Sequence, residues 1–226
     1  MAIAANNLYS QKLSIHYSAT YNGDAYRNIL YVLDSISRWE GLPNPESSDN
    51  AAELMIKNFN SKNLQYIDYV FHKSFNVEDS LHPMEWILTN ETKDILNYTC
   101  KGARTVFRGR EYIAYYTNSI PFSIGPWKFG GLPGAILEVA STDGQYQFRS
   151  TQITLDDTVD TKMSDTVLHD LMSWTQYCQY FRISVDNYAS FMRSSNIAPG
   201  GTVQLKIDRP EMIYPRAQSG SGMGTE

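Results

Sequence analysis

Apolar and polar residues alternate with a period of two along much of this chain, which predicts β-strands. Between Leu13 and Tyr21 every second residue is apolar or aromatic, the pattern of a strand with one face in a core. Similar runs follow at 29–37, 64–75, 85–89, 93–107, 111–117, 135–140 and 146–155. The short connections Arg108-Gly109 and Asp143-Gly144 favour antiparallel hairpins over crossover helices. We therefore expect consecutive hairpins in one curved sheet of about eight strands.

Two segments have apolar residues three or four positions apart, which predicts helices. The first covers 49–59, with Asp49 as its N-cap, and the second covers 164–181. A shorter helix is expected over 186–193 and a final edge strand over 202–207. The predicted fold class is mainly β (α+β), a curved antiparallel sheet with a few covering helices.

Size and composition describe an ordinary globular protein. A chain of 226 residues can bury a core without metal or disulfide, and we expect one β-rich domain over 1–218 with a flexible tail over 219–226. The net charge of −5 and the absence of clustered Lys and Arg argue against nucleic-acid binding. No apolar run approaches the ~18–20 residues that cross a bilayer. The beginning, MAIAANNLYS, shows no export signal, which is compatible with a cytosolic protein or with an exported one whose leader was removed.

The sequence contains no recognised catalytic or metal-binding motif. The histidines are scattered, no CxxC or HExxH is present, and the GxSxG, Walker and dinucleotide patterns are missing. No catalytic residue, metal ligand or cofactor is therefore predicted. Cys100 stands within a predicted strand with no visible cause for a lowered thiol pKa. Cys100 and Cys178 are compatible with one disulfide and equally with two buried thiols.

The segment 123–139 is the strongest local signal, because it combines prolines and glycines with an indole and a lysine. Such residues restrict the backbone to a particular loop shape. The residues expected to set that shape are Gly125, Pro126, Gly130, Gly131 and Gly134. The residues expected to contact a ligand or partner are Trp127, Lys128, Phe129, Leu132 and Pro133. Trp127 is alternatively expected to fill the end of the sheet as a core residue.

The segment from Trp86 to Val139 resembles the GLPGLI family of exported bacterial proteins. The matching strings are WILTNETK, YTCK with Ala103, FRGREYIAYYT, Ile120-Pro121, GPWKF and GLPGAILEV. Ala135 replaces the leucine that gives the family its name, Tyr115 stands at an expected tryptophan and Asn97 at an expected glycine. The resemblance implies an antiparallel β architecture and export to the cell envelope, in the periplasm or at the outer membrane. It implies no assigned reaction.

Three functions are open on these observations. The first is a non-enzymatic cell-envelope protein that binds an apolar small molecule or an envelope protein partner on a concave face. The second is a hydrolase-type enzyme whose site no motif reveals, which requires converging titratable groups with shifted pKa values. The third is a structural accessory subunit of an outer-membrane complex, which requires a large exposed apolar patch.

Overall fold

A computed structural model describes residues 12–43, 53–81, 84–155, 159, 163, 167–194 and 209–211. The protein is mainly β, with 57% strand, which confirms the predicted fold class. The strands are β1 (Leu13–Tyr21), β2 (Asp24–Leu33), β3 (Ile36–Gly41), β4 (Leu54–Asn58), β5 (Asn63–Val70), β6 (Lys73–Ser80), β7 (Ile87–Ile95), β8 (Tyr98–Phe107), β9 (Arg110–Thr117), β10 (Ala135–Ser141), β11 (Tyr146–Leu155) and β12 (Met172–Ser173). The helix α1 (Trp174–Ser194) follows β12.

The strands form one sheet in the order β12-β6-β5-β4-β3-β2-β1-β11-β10-β9-β8-β7. Every pairing is antiparallel except that between β12 and β6. The predicted meander is confirmed between β7 and β10, where each strand pairs with the next one along the chain.

The sheet must curl strongly, because β6 and β7 are consecutive in the chain but ten strand spacings apart in the sheet. In a flat sheet about 48 Å would separate them. The seven peptide steps from Ser80 to Ile87 reach at most about 25 Å. The curl brings the two halves of the sheet to face each other across a concave side, where the large core lies.

Several hairpins close through two-residue turns in which both residues have positive φ. These turns are Asn22-Gly23, Leu96-Asn97 and Arg108-Gly109. Positive φ at both positions defines the type I′ turn, whose twist matches that of the flanking strands. The turns therefore set the register of β1 with β2, of β7 with β8 and of β8 with β9.

Some of the predicted element boundaries are wrong. The predicted helix over 49–59 contains β4, which pairs with β3 and β5, and residues 49–52 lie outside the described part. The run 64–75 is divided between β5 and β6 by a turn at Phe71, whose φ is +54°. The sheet has twelve strands among the described residues, more than expected. The runs 29–37 and 64–75 each contain parts of two strands, and β4 and β12 lie in segments predicted as helices.

The helix predictions are also corrected. The expected helices over 164–181 and 186–193 are replaced by one continuous helix, α1. It buries Tyr177, Phe181, Val185 and Ala189 and contacts β6 and β12, so it lies beside β6 rather than over the middle strands. No helix in the described part of the chain has the length and hydropathy needed to span a membrane. The expected strand over 202–207 lies outside the described residues, and the boundary of the 1–218 domain and the 219–226 tail stay predictions.

Candidate functional site

The loop between β9 and β10, residues 118–134, occupies the concave side of the sheet. An isolated bridge joins Ile124 to Gly130 and closes the loop on itself. Lys57 of β4 donates hydrogen bonds from Nζ to the carbonyl oxygens of Gly125, at 3.1 Å, and Phe129, at 2.8 Å. Trp86 Nε1 donates to the Gly130 carbonyl oxygen at 2.8 Å. Both halves of the curled sheet therefore hold the backbone of the loop in one shape.

The candidate binding residues of this loop differ in exposure. Trp127, Lys128, Phe129 and Leu132 are buried, whereas Pro133 is exposed. The Trp127 ring lies parallel to Phe148 with centroids 6.4 Å apart, and it meets Phe107 edge to face at 5.9 Å. The four buried side chains are part of the core in this conformation, as the alternative expectation for Trp127 required. Their contact with a ligand stays a prediction.

Lys128 belongs to a buried cluster of charged groups. Its Nζ lies 2.7 Å from Glu211 Oε2, and both side chains are nearly inaccessible to solvent. Arg108, in the turn between β8 and β9, pairs with Glu211 and with Asp79 of β6. The Lys128 ammonium also lies 3.8 Å from the ring centroid of Tyr66, within range of a cation–π interaction. Alternating positive and negative groups thus compensate one another inside the core.

The segment Arg209–Glu211 crosses between the two halves of the sheet. Arg209 pairs with Asp68 of β5 and donates from Nη1 to the Tyr69 carbonyl oxygen at 2.9 Å. On the opposite half, Arg110 donates to the Arg209 carbonyl oxygen at 3.1 Å. Tyr112 OH donates to the Pro210 carbonyl oxygen at 3.0 Å. Three consecutive residues are therefore contacted through both their side chains and their backbone.

Burial and the neighbouring carboxylates shift the pKa values of the cations in this cluster in opposite directions. Burial lowers the pKa of Lys128, and the Glu211 carboxylate opposes that change without cancelling it. Burial also lowers the pKa of Arg108, but Glu211 and Asp79 outweigh it and leave that pKa above its usual value. The cluster depends on Glu211 because this carboxylate compensates both cations.

Lys57 provides a test of the charge balance in the core. Burial lowers its pKa from 10.5 to about 7, with the charge of Lys128 as a second cause. Between these two pH values the unfolded chain carries a proton on Lys57 that the folded protein lacks, so stability rises with pH across this window. We expect Lys57→Met to reduce the slope of unfolding free energy against pH by up to about 1.4 kcal/mol per pH unit. Urea titrations between about pH 7.5 and pH 9.5 measure that slope.

Lys101→Met, at an exposed position of β8, is the matched control for Lys57→Met. It removes the same functional group from the surface. Equal slopes for the Lys57→Met variant and the wild type would contradict the assignment of a lowered pKa to Lys57.

A second polar group on the concave side is the carboxyl of Glu53, directly before β4. It accepts hydrogen bonds from Trp39 Nε1 at 2.8 Å, Asn28 Nδ2 at 2.6 Å and Tyr21 OH at 3.2 Å. Gly41 of β3 lies between Glu53 and Asn28, and a Cβ on Gly41 would be 3.2 Å from Glu53 Cβ. The absence of a side chain at Gly41 leaves the space through which Glu53 reaches β2 and β1.

Burial raises the pKa of Glu53, while the hydrogen bonds from Trp39, Asn28 and Tyr21 oppose that rise. Above the ordinary value of 4.5 and up to the raised value, the folded protein holds a proton that the unfolded chain has lost. Stability therefore falls as the pH rises through this window. We expect Glu53→Gln, which does not titrate, to gain stability relative to the wild type as the pH rises above 4.5. Urea titrations across that range measure the difference.

The glutamine in Glu53→Gln is accommodated because Asn28 Oδ1 is buried without a hydrogen-bond partner among the described residues. After rotation of its amide, Asn28 accepts from the glutamine Nε2. Glu111→Gln, at an exposed position of β9, is the control. A difference in stability between Glu53→Gln and wild type that does not vary with pH would refute the raised pKa.

The cysteines and histidines do not form a reactive centre within the described residues. Cys100 and Cys178 are both free thiols, and burial raises the pKa of each to about 11. At neutral pH both are protonated and therefore poor nucleophiles. No group of His, Cys, Asp and Glu suited to a metal ion occurs in the described part of the chain, and His82 lies outside it.

Sequence reasoning missed Glu53, Lys57, Arg108 and Glu211. One signal was available for Lys57. In a strand, Lys57 would share one face with Met55 and Phe59, because these are alternate residues. Interpreting this segment as a strand would therefore have placed a charge among apolar residues. Glu211 has no such signal, because its partners Lys128 and Arg108 are 83 and 103 positions away.

Comparison with known proteins defines the class. Residues 49–175 match the family described as N-glycanase peptide, N-terminal domain, and the chain belongs to this family. The crystal structure of PNGF-II in space group P21 superposes with a TM-score of 0.58 and 18% identity over 77% of this chain and 34% of that one. The C2 form gives a TM-score of 0.55 and 19% identity over 77% and 33%. A search of curated proteins finds no match.

The chain thus spans about a third of the length of PNGF-II. These matches overturn two expectations. The assignment to the GLPGLI family is wrong, because the family that matches is the N-glycanase N-terminal domain. The non-enzymatic binding function is also wrong as the main interpretation, because the matching family is a domain of an N-glycanase. The hydrolase alternative agrees better with this match.

Proposed function

We propose that this chain acts as the N-terminal domain of an N-glycanase-type hydrolase, an enzyme that releases N-linked glycans from peptides. The match of residues 49–175 to the N-glycanase N-terminal domain carries this proposal. The superposition on PNGF-II over 77% of the chain supports the same fold. Since the chain spans a third of PNGF-II, the remaining part of such an enzyme is expected to contribute groups to the reaction.

The geometry of the concave side supports a role in substrate contact rather than in forming a nucleophile. Both described cysteines are protonated at neutral pH, and the charged groups around Glu211 are paired. Release of an N-linked glycan is hydrolysis of an amide, which needs a positioned acid or base and a bound peptide. The concave side contains groups of the kind that bind a peptide backbone, because Arg110 and Tyr112 there donate hydrogen bonds to the carbonyl oxygens of the chain's own Arg209 and Pro210.

The test is glycan release by the natural polypeptide that contains this chain, isolated from its own cells with an antibody against the chain. An N-glycosylated peptide is incubated with it and examined by mass spectrometry. We expect loss of the whole glycan and conversion of the linked asparagine to aspartate, because amide hydrolysis leaves a carboxylate. An O-glycosylated peptide is the control. An N-glycosylated peptide that stays intact would overturn the proposal, and cleavage that leaves a sugar on asparagine would assign a different reaction.

We also propose that the protein is exported, to the periplasm or the outer-membrane surface. N-linked glycans are carried by exported proteins, so an enzyme that removes them is expected to meet its substrate outside the cytoplasm. Fractionation of the native cells, followed by detection with the same antibody, separates the two locations. Recovery in the cytoplasmic fraction alone would contradict export.

A further inference from the structure

The contacts of Arg209–Glu211 have the form of a peptide bound in a cleft. We propose that the concave side of the sheet is a binding site for a peptide with a basic residue two positions before an acidic one, and that the chain's own Arg209–Glu211 segment, which bends at Pro210 and Glu211, occupies it here. The inference deepens the proposed function, because it assigns to this domain the peptide part of an N-glycanase substrate.

The two ends of the segment are recognised through opposite charges. At one end the Arg209 guanidinium pairs with Asp68 and lies over the ring of Phe181, 4.8 Å from its centroid. At the other end the Glu211 carboxylate takes one hydrogen bond from Lys128 and one from Arg108. An acidic side chain at one end of the cleft and two basic side chains at the other therefore fix the direction in which a peptide binds.

Between these ends the cleft binds the backbone, independently of the side chains. Arg110 Nη2 and Tyr112 OH donate to the carbonyl oxygens of Arg209 and Pro210. Hydrogen bonds to the main chain of a peptide provide affinity that does not depend on its sequence, and pockets for its side chains add specificity. Pro210 fits this arrangement because it has no N–H that would need a partner.

The sheet does not need the segment for its own pairing. All twelve described strands pair with one another, and residues 209–211 belong to none of them. The segment belongs to the same polypeptide as the cleft, so it competes with any peptide in solution as an intramolecular ligand.

The experiment uses the full chain and its Arg209→Ala/Glu211→Ala variant, which removes the side-chain anchors of the segment. The probe is a fluorescein-labelled peptide with the sequence of residues 206–214, and the control probe has the same composition with the Arg and the Glu exchanged. Fluorescence anisotropy measures binding, and circular dichroism with thermal melting measures the fold. The peptide carries no glycan, so the result does not depend on whether the protein releases glycans.

We expect the double variant to fold, to bind the probe at least tenfold more tightly than the exchanged probe, and to melt at a higher temperature in its presence. The wild type is expected to bind the probe at least tenfold more weakly than the variant does. A folded variant that binds neither probe, or both equally, would overturn the proposal. So would a variant that does not fold, since the segment would then be part of the fold, and so would equal binding by the wild type.

Discussion

Replacing Gly134 by alanine is expected to reduce the free energy of unfolding by at least ~3 kcal/mol. A Cβ at this position would lie 2.1 Å from the carbonyl oxygen of Thr117 and 2.7 Å from its carbonyl carbon. Both are backbone atoms of β9, and Thr117 is held in register opposite Ala135 of β10. The contact cannot be relieved by turning a side chain, so the end of the loop or the start of the β9–β10 pairing must move.

Urea denaturation followed by tryptophan fluorescence measures this loss. Gly23→Ala is the matched control, because Gly23 has a φ of +97° but no atom within 4 Å of a built Cβ. That variant carries only the backbone penalty of an L-residue at positive φ, about 1–2 kcal/mol. The steric argument fails if Gly134→Ala is no less stable than Gly23→Ala.

Replacing Lys128 by methionine is expected to reduce the free energy of unfolding by about 3 kcal/mol, the lower end of the range for breaking a buried ion pair. The Glu211 carboxylate is buried, with 4% of its side chain exposed, and it would lose the ammonium that lies 2.7 Å away. Arg108 remains as a partner, which is why the larger losses are not expected. Urea denaturation at neutral pH measures the change.

The double variant Lys128→Met/Glu211→Gln separates charge from packing. Glutamine has almost the shape of glutamate but no charge to compensate, and Arg108 keeps Asp79 as its partner. We therefore expect the double variant to recover part of the stability that the single variant loses. If the double variant is less stable than Lys128→Met alone, the uncompensated carboxylate is not the cause of the loss.

The secondary structure could be predicted where local signals and tertiary pairing agree. The Arg108-Gly109 turn was identified because glycine readily takes positive φ, which both central positions of a type I′ turn require. The helix predicted over 49–59 was wrong because its apolar residues fit the period of a strand as well as the period of a helix. Met55 and Lys57 face the core as alternate residues of β4, and the neighbouring strands β3 and β5 supply hydrogen bonds that a helix would forgo.

For the candidate site, sequence predicted a restrained loop but not where it lies. Pro126 and the glycines restrict the backbone locally, whereas the burial of Trp127 and Lys128 depends on the curl of the whole sheet. The family resemblance failed although it rested on this same segment. The fold requires glycine at position 134 for steric reasons, and a steric requirement of a fold does not identify a family.

The amino-acid sequence by itself determined the β-rich class, the hairpins and the stiffness of the loop, because alternation of side chains and backbone restrictions act between near neighbours. Only the tertiary structure decided which charges meet. Glu211, Lys128 and Arg108 come from distant parts of the chain and are brought together by the curl of the sheet. Glu53 likewise reaches its donors on three strands through the gap at Gly41. No local pattern encodes such neighbours, because their proximity is a property of the closed fold.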